Sequence, residues 1–343
     1  MRRTCLAAAT AAAFAISAVP PAEATLALTL TPAGSGLGFG LTTFVDGYPF
    51  PTGGPSAYGL VSIAVASNGK LLAPNTQDQK MYVFNDADNQ TLGSAISVVP
   101  LPPGTGYVMA TAGGLPYGAQ ALGGQFVAFS NGGSVLGPIV AGVGSYFGMW
   151  GNPVNGHIIA SSNKGLIDIT PGSLGSYTVI NAGVFPDGVT VTPDGLTAYV
   201  ADVAAGAVEG YDIATGAQVF NSGFLGGIGP DGMGVLAGTC AAAGDIVVVN
   251  NDGTVGLINP SGPPAYTKIA QGGTRGDFAS LDTNNGTLFM SQNEGIARLT
   301  SPAGCTIGTV LTGGGTSGHP TPEPVGLPIL AAGGLALVLT RRR

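Results

Sequence analysis

The chain has 343 residues, a formal net charge of −7 and 8% charged residues, against about 25% in typical soluble domains. Residues 25–320 carry six bases (Lys70, Lys80, Lys164, Lys268, Arg275 and Arg298) against sixteen acids, a field that excludes nucleic acid and anionic lipid as partners. Glycine at 59 positions together with 45% apolar residues rules out a disordered linker and suggests short strands joined by tight turns.

The N-terminus reads as a secretory signal peptide over residues 1–24. Arg2 and Arg3 form its basic start, residues 5–19 its apolar stretch, and Ala22-Glu23-Ala24 fits the small-x-small rule for cleavage. Cleavage there exposes Thr25 and removes Cys5. The body that remains, residues 25–312, suffices for one large domain or two small ones.

That body repeats itself. Four strand-like runs are each followed by a turn of the form Asn-x-Gly: Asn131-Gly132-Gly133, Asn163-Lys164-Gly165, Asn251-Asp252-Gly253 and Asn293-Glu294-Gly295. Asn and Gly tolerate the positive φ that tight hairpins require. Two variants of the hairpin occupy residues 70–84 and 197–211. Upstream of each hairpin a further strand begins near Gly59, Gly118, Gly148, Gly188, Gly232 and Gly276, at steps of 59, 30, 40, 44 and 44 residues. Periods of about 40–45 residues with several short strands each mark propeller blades. The long first step is assigned to the Pro- and Gly-rich stretch 98–114.

The expected fold is therefore all-β, a propeller of six blades with four antiparallel strands each. A seven-bladed ring or a β-sandwich is the alternative. The stretch 185–202, with Pro186-Asp187-Gly188 and Pro193-Asp194-Gly195, resembles the bacterial six-bladed propellers of the NHL-like, YVTN-like and gluconolactonase- or streptogramin-lyase-like group. Two runs compete to complete the last blade, residues 41–45 and residues 306–311, and the sequence does not choose between them.

Asp187, Asp231 and Asp277 stand where the chain enters the innermost strand of three successive blades, positions that converge on one end of a propeller's central channel. Three carboxylates there repel one another unless a cation or water intervenes. The gluconolactonase-like resemblance implies a divalent metal at that end, and Ca2+ is the cation such a site would take. This chain has Asp where several of those relatives have Asn, and no clear Glu where the first blade begins. The other reading is that Pro-Asp-Gly only makes a turn. Catalytic histidine is nearly absent: His157 reads as a structural residue of the third blade, and His319 lies in a linker. The Gly227 to Gly232 stretch matches a dinucleotide-binding spacing but precedes a strand, not the helix that would hold a pyrophosphate. Asp86 to Asn89 starts like a calcium loop but lacks its Gly and Glu, so it reads as a solvated hairpin turn.

Cys240 and Cys305 survive processing, and in an exported protein two thiols commonly form a disulfide. Cys240 falls between the first and second strands of blade 5 and Cys305 between the third and fourth of blade 6. Both connections emerge on the same face of neighbouring blades, so a Cys240–Cys305 bridge is expected.

After a Gly/Thr/Pro linker, residues 313–321, comes Pro322-Glu323-Pro324, an apolar run over residues 325–340, and a terminal Arg341-Arg342-Arg343. Sixteen residues make a helix of roughly 24 Å, short of the roughly 30 Å hydrocarbon core, with the arginines favouring the cytoplasmic side. Together residues 322–343 resemble the PEP-CTERM sorting signal of Gram-negative export proteins. That resemblance implies transient membrane anchoring through residues 325–340, processing by an exosortase, and a destination at the cell surface or outside. It also implies an association with exopolysaccharide. The expectation is a non-catalytic surface or extracellular-matrix protein that binds exopolysaccharide. The alternative is a metal-dependent hydrolase or lyase of the gluconolactonase/streptogramin-lyase-like type.

Overall fold

The computed structural model describes residues 26–47, 62–102, 107–120, 124–140, 143, 146–171, 176–263, 265–276, 278–293 and 295–310. The residues read as a signal peptide (1–24), a linker (313–321) and a sorting segment (322–343) lie outside them, as do Asp277, Glu294 and His319. Among the described residues no helix is long and apolar enough to cross a membrane.

Six sheets follow one another around a closed ring, antiparallel except where Val45–Asp46 pairs in parallel with Gln90–Thr91. Blade 1 comprises Ala64–Val65, Leu71–Asn75, Lys80–Phe84 and Ser97–Pro100. Blade 2 comprises Tyr107–Ala112, Leu115–Gln120, Phe126–Phe129 and Val135–Val140. Blade 3 runs through Tyr146–Gly151, Ile158–Ser162, Gly165–Ile169 and Tyr177–Asn181. Blade 4 follows with Pro186–Val191, Thr197–Asp202, Ala207–Asp212 and Gln218–Asn221. Blade 5 is Pro230–Gly238, Ile246–Asn250, Val255–Ile258 and Tyr266–Gln271. Blade 6 takes Ala279–Asp282, Thr287–Gln292 and Gly295–Thr300 from the C-terminal end of the ring.

The fourth strand of blade 6 is Gly40–Asp46, from the N-terminal end, paired with Gly295–Thr300 from Gly40↔Thr300 to Val45↔Ile296. This settles the closure: residues 41–45 close the ring, which removes an open sheet edge. The rival run instead forms Cys305–Ile307, which pairs with the far end of blade 5's innermost strand.

Second and third strands such as Ile246–Asn250 are buried on both faces because blades stack face to face, which explains their unbroken apolar runs. Met81 and Val83 of blade 1 meet Met109, Val127 and Phe129 of blade 2 in one such layer. Fourth strands at the rim alternate, as Ser97–Pro100 does. With so few charges, the turns are held by Asx side chains. Asn68, Asn152, Asp194, Asp252 and Asn285 each accept a hydrogen bond from the backbone N–H two residues on, at 3.0–3.1 Å.

The expected frame of blade 2 was displaced. Gly118 lies in its second strand, and the innermost strand Tyr107–Ala112 occupies part of the stretch assigned to a long connection. Gly113 and Gly114 form a two-residue hairpin there, with φ of 56° and 76°, the double positive φ of a tight hairpin turn. The Asn131 turn consequently joins the third and fourth strands. Innermost strands then begin at residues 64, 107, 146, 186, 230 and 279, a spacing of 39 to 49 residues.

The Cys240–Cys305 disulfide is present, with Cα atoms 5.5 Å apart across a sequence separation of 65.

Candidate functional site

All innermost strands start on one face of the ring, the top face hereafter. Asp187 and Asp231 sit there, each inside a strand and not in a turn. Register shifts between Pro186 and Val189 and between Pro230 and Met233 show that each Pro-Asp-Gly is a β-bulge. Only Pro193-Asp194-Gly195 makes the true turn, with Gly195 at φ 73°. The turn reading therefore fails at Asp187 and Asp231.

The glycines of these bulges let neighbouring blades touch backbone to backbone. A Cβ on Gly148 would lie 2.6 Å from the Asp187 carbonyl oxygen, one on Gly188 2.0 Å from that of Asp231, and one on Gly232 2.3 Å from the Ala279 nitrogen. The axis is thereby nearly closed. Two cavities along it, one lined by Gly148, Gly188, Gly232 and Phe278 and one by Ile63, Met109, Trp150 and Leu281, measure about 10 Å³ each. That is room for at most one water apiece, so neither holds a sizeable ligand.

At the top mouth, Ser161 Oγ donates to the Asp187 carbonyl and fixes the bulge against blade 3. The Asp187 carboxyl is half-buried and pushed up to about 6 by burial, with the Arg275 charge acting to lower it. Arg275 is oriented by its Nε, which donates to Asn251 Oδ1 at 2.9 Å. Asp231 is buried, at 1% exposure. Asp187 and Asp231 both stand at the start of innermost strands at this mouth, and Arg275, which the sequence reading did not single out, acts on the first of them. Among the described residues no three His, Cys, Asp or Glu side chains come together to hold a metal. Asp277, the third of the aspartates the sequence points to, lies outside the described residues.

Beside the mouth runs an apolar stripe that sequence reasoning did not single out. Phe185 (58% exposed), Val203 (51%) and Phe224 (73%) face solvent. The Phe147 ring lies 6.3 Å from that of Phe185, Val203 N–H donates to the Phe185 carbonyl at 3.2 Å, and the Phe224 ring covers Gly206. The stripe therefore runs from blade 3 across blade 4. Its signal was available: Phe185 directly precedes Pro186-Asp187-Gly188, and Phe224 interrupts a glycine-rich connection.

His157 takes the structural role expected of it. Its Nδ1 pairs with Asp168 Oδ1 at 2.9 Å at the start of blade 3's second strand, away from the top mouth. The Gly227 to Gly232 stretch leads into the strand Pro230–Gly238 and makes no nucleotide loop. The solvated-turn reading of Asp86 to Asn89 needs correction, because Asp86 and Asp88 both pair with Arg298 of blade 6.

The fold has known counterparts. A streptogramin B lyase is 13% identical with a TM-score of 0.54, over 76% of this chain and 97% of that one. A gluconolactonase from Xanthomonas campestris is 14% identical with a TM-score of 0.54, over 71% and 86%. An auxiliary nutrient binding protein from Bacteroides ovatus is 12% identical with a TM-score of 0.54, over 76% of each chain. No protein-family model matches the chain, and no curated protein matches it. The chain is thus a six-bladed β-propeller, in the fold shared with streptogramin lyases and gluconolactonases.

Proposed function

We propose that this propeller is an exported, non-catalytic binding protein whose top face holds an extracellular polysaccharide. The Phe185–Val203–Phe224 stripe carries the reading. Exposed contiguous apolar side chains beside a polar rim mark interaction sites, and flat aromatic faces suit the C–H faces of sugar rings. The acidic body repels polyanions, so the glycan is a neutral one. In this reading the signal peptide directs export, and the segment 322–343 anchors the chain briefly in the inner membrane of a Gram-negative cell until an exosortase processes it. The mature propeller then resides at the cell surface or in the matrix. The fold likeness to a nutrient binding protein is compatible with a binding role.

In affinity electrophoresis, a soluble neutral β-glucan should retard the wild type, while a polyuronate of similar length should not. The double variant Phe185→Ala/Phe224→Ala should lose at least tenfold in apparent affinity. Equal retardation of both proteins, or retardation by the polyuronate alone, would sink the reading.

The Asp187 carboxyl, titrating at about 6, favours one second reading, a hydrolase or lyase acting at the same mouth. In that version Ca2+ would be held by Asp187, Asp231 and Asp277. Calcium should then raise the melting temperature of the wild type, and Asp231→Asn should abolish the rise. No calcium response in either protein would dismiss the metal-dependent version.

A further inference from the structure

The face opposite the candidate site is closed by the chain's own C-terminal segment. After blade 6, Cys305–Ile307 runs antiparallel to the end of blade 5's innermost strand, with Leu236↔Ile307 and Gly238↔Cys305. Ile307 is fully buried and covers Gly234, against which Leu288 also packs. The next residue reaches the axis itself. A Cβ on Gly308 would lie 2.8 Å from Leu281 Cδ2 and 3.2 Å from Trp150 Cζ2. Trp150 belongs to blade 3 and Leu281 to blade 6, blades on opposite sides of a six-membered ring, so a residue meeting both stands at the centre. Gly308 N–H also donates to the Val235 carbonyl of blade 5 at 2.7 Å.

This segment has few holds of its own. Three ladder residues, one buried isoleucine and a handful of backbone bonds, among them Thr239 N–H to the Gly304 carbonyl and Ile307 N–H to the Gly286 carbonyl, are far less than any blade possesses. Segments with so little burial open locally at low free-energy cost. What distinguishes this one is the covalent bond at its start. Cys305 is tied to Cys240 in the loop between the first and second strands of blade 5, so the segment remains beside the mouth even when its hydrogen bonds break.

We propose that residues 301–310 form a disulfide-latched plug of the bottom mouth, which leaves the axis when the Cys240–Cys305 bond is reduced. A dithiol reductant transfers two electrons and two protons, leaving two cysteine thiols and its own disulfide. The freed segment uncovers an apolar mouth lined by Trp150, Leu281 and Leu288 and a free strand edge at Leu236–Gly238. The latch therefore keeps that face closed while the top face stays available. In this arrangement the two faces of the ring respond differently to redox conditions.

Trp150 is the sole tryptophan of the chain and is buried beneath the plug, so its fluorescence reports on the plug directly. The oxidised protein should resist acrylamide quenching. After dithiothreitol treatment that yields two titratable thiols, the quenching constant should rise at least threefold and the emission shift to the red, with far-UV circular dichroism unchanged. Cys240→Ser/Cys305→Ser should reproduce the reduced protein, and amide exchange at Ile307 and Gly308 should rise in both. If the double variant fails to fold, reduction of the folded wild type remains decisive. Trp150 still shielded once both thiols titrate, or exposed only as the blades themselves melt, would overturn the proposal.

Discussion

Replacing Arg298 with Met should destabilise the protein by roughly 3–5 kcal/mol, the range for a buried ion pair deprived of one partner. Arg298 is almost fully enclosed and pairs with three carboxylates: Asp86, Asp88 (Nε to Oδ1 3.1 Å) and Asp282 (3.6 Å). Its guanidinium also lies over the rings of Phe44 and Phe289, at 5.3 and 4.8 Å. These groups come from three parts of the ring. Phe44 belongs to the closing strand, which also ties Thr42 Oγ1 to Asp88 Oδ2 at 2.7 Å. Asp86 and Asp88 come from blade 1, and Asp282 and Phe289 from blade 6. Arg298 is therefore the charge that joins the N-terminal strand to both neighbours at the point of closure. Methionine would keep much of the packing and leave three carboxylates facing one another.

That loss should depend on pH. The Asp282 carboxyl is held above its ordinary range by burial and by the charge of Asp86, while Asn284 N–H, Arg298 and Asn285 draw it down. An acid raised in the folded state binds its proton more tightly there than in the unfolded chain. Its contribution favours the fold below the unfolded value and is lost as pH rises through the raised one. Removing Arg298 takes away a lowering charge and extends this window upward. In urea unfolding, Arg298→Met should therefore be weaker at pH 8 than at pH 5, by a wider margin than the wild type. The double variant Arg298→Met/Asp282→Asn should narrow that margin. A cost below about 1 kcal/mol, or the same loss at both pH values, would show that the cluster does not secure the closure.

Much of the ring was legible because the hairpin chemistry is local. Asn-x-Gly between two apolar runs states its own conformation, and four copies fix a blade period. Blade 2 was misframed because its inner hairpin turns on Gly113-Gly114 within a run of small residues, where no apolar alternation announces a strand. The closing strand was undecidable for another reason. Residues 41–45 and 306–311 carry the same kind of pattern, and only tertiary pairing separates a rim strand from one lying across the axis. The Cys240–Cys305 bridge was legible, since the exit of blade 6's third strand shares a face with the first connection of blade 5. Its placement needs correction: Cys305 lies in no third-to-fourth connection, because blade 6's fourth strand is N-terminal, and instead begins a short strand beside blade 5. What that bridge holds in place was not legible, because Gly308 reaches the axis by a path no periodicity records. Arg298 and Arg275 escaped notice alike: a single arginine in a strand or a connection carries no motif, and the partners of Arg298 lie as far as 212 positions away.

Gly188→Ala, the addition of one methyl group, should cost about 3 kcal/mol or more, the upper end of overpacking penalties. The new Cβ would meet the Asp231 carbonyl oxygen at 2.0 Å, its carbon at 2.6 Å and Gly232 Cα at 3.1 Å. All three are backbone atoms of the next innermost strand, so no side chain can rotate out of the way. Relief requires blades 4 and 5 to part, and in a closed ring a gap between two blades strains the other junctions. The conformation of Gly188 is not the cause, since its φ is not among the positive ones. Gly36→Ala makes the matching control, because nothing lies within 4 Å of its Cβ position and a change there should stay within about 0.5 kcal/mol. Urea midpoints of the two variants measure the difference. Equal midpoints would mean that the innermost strands can separate freely. The axis would then be an adjustable channel, and a ligand within it would have to be considered alongside one on the top face.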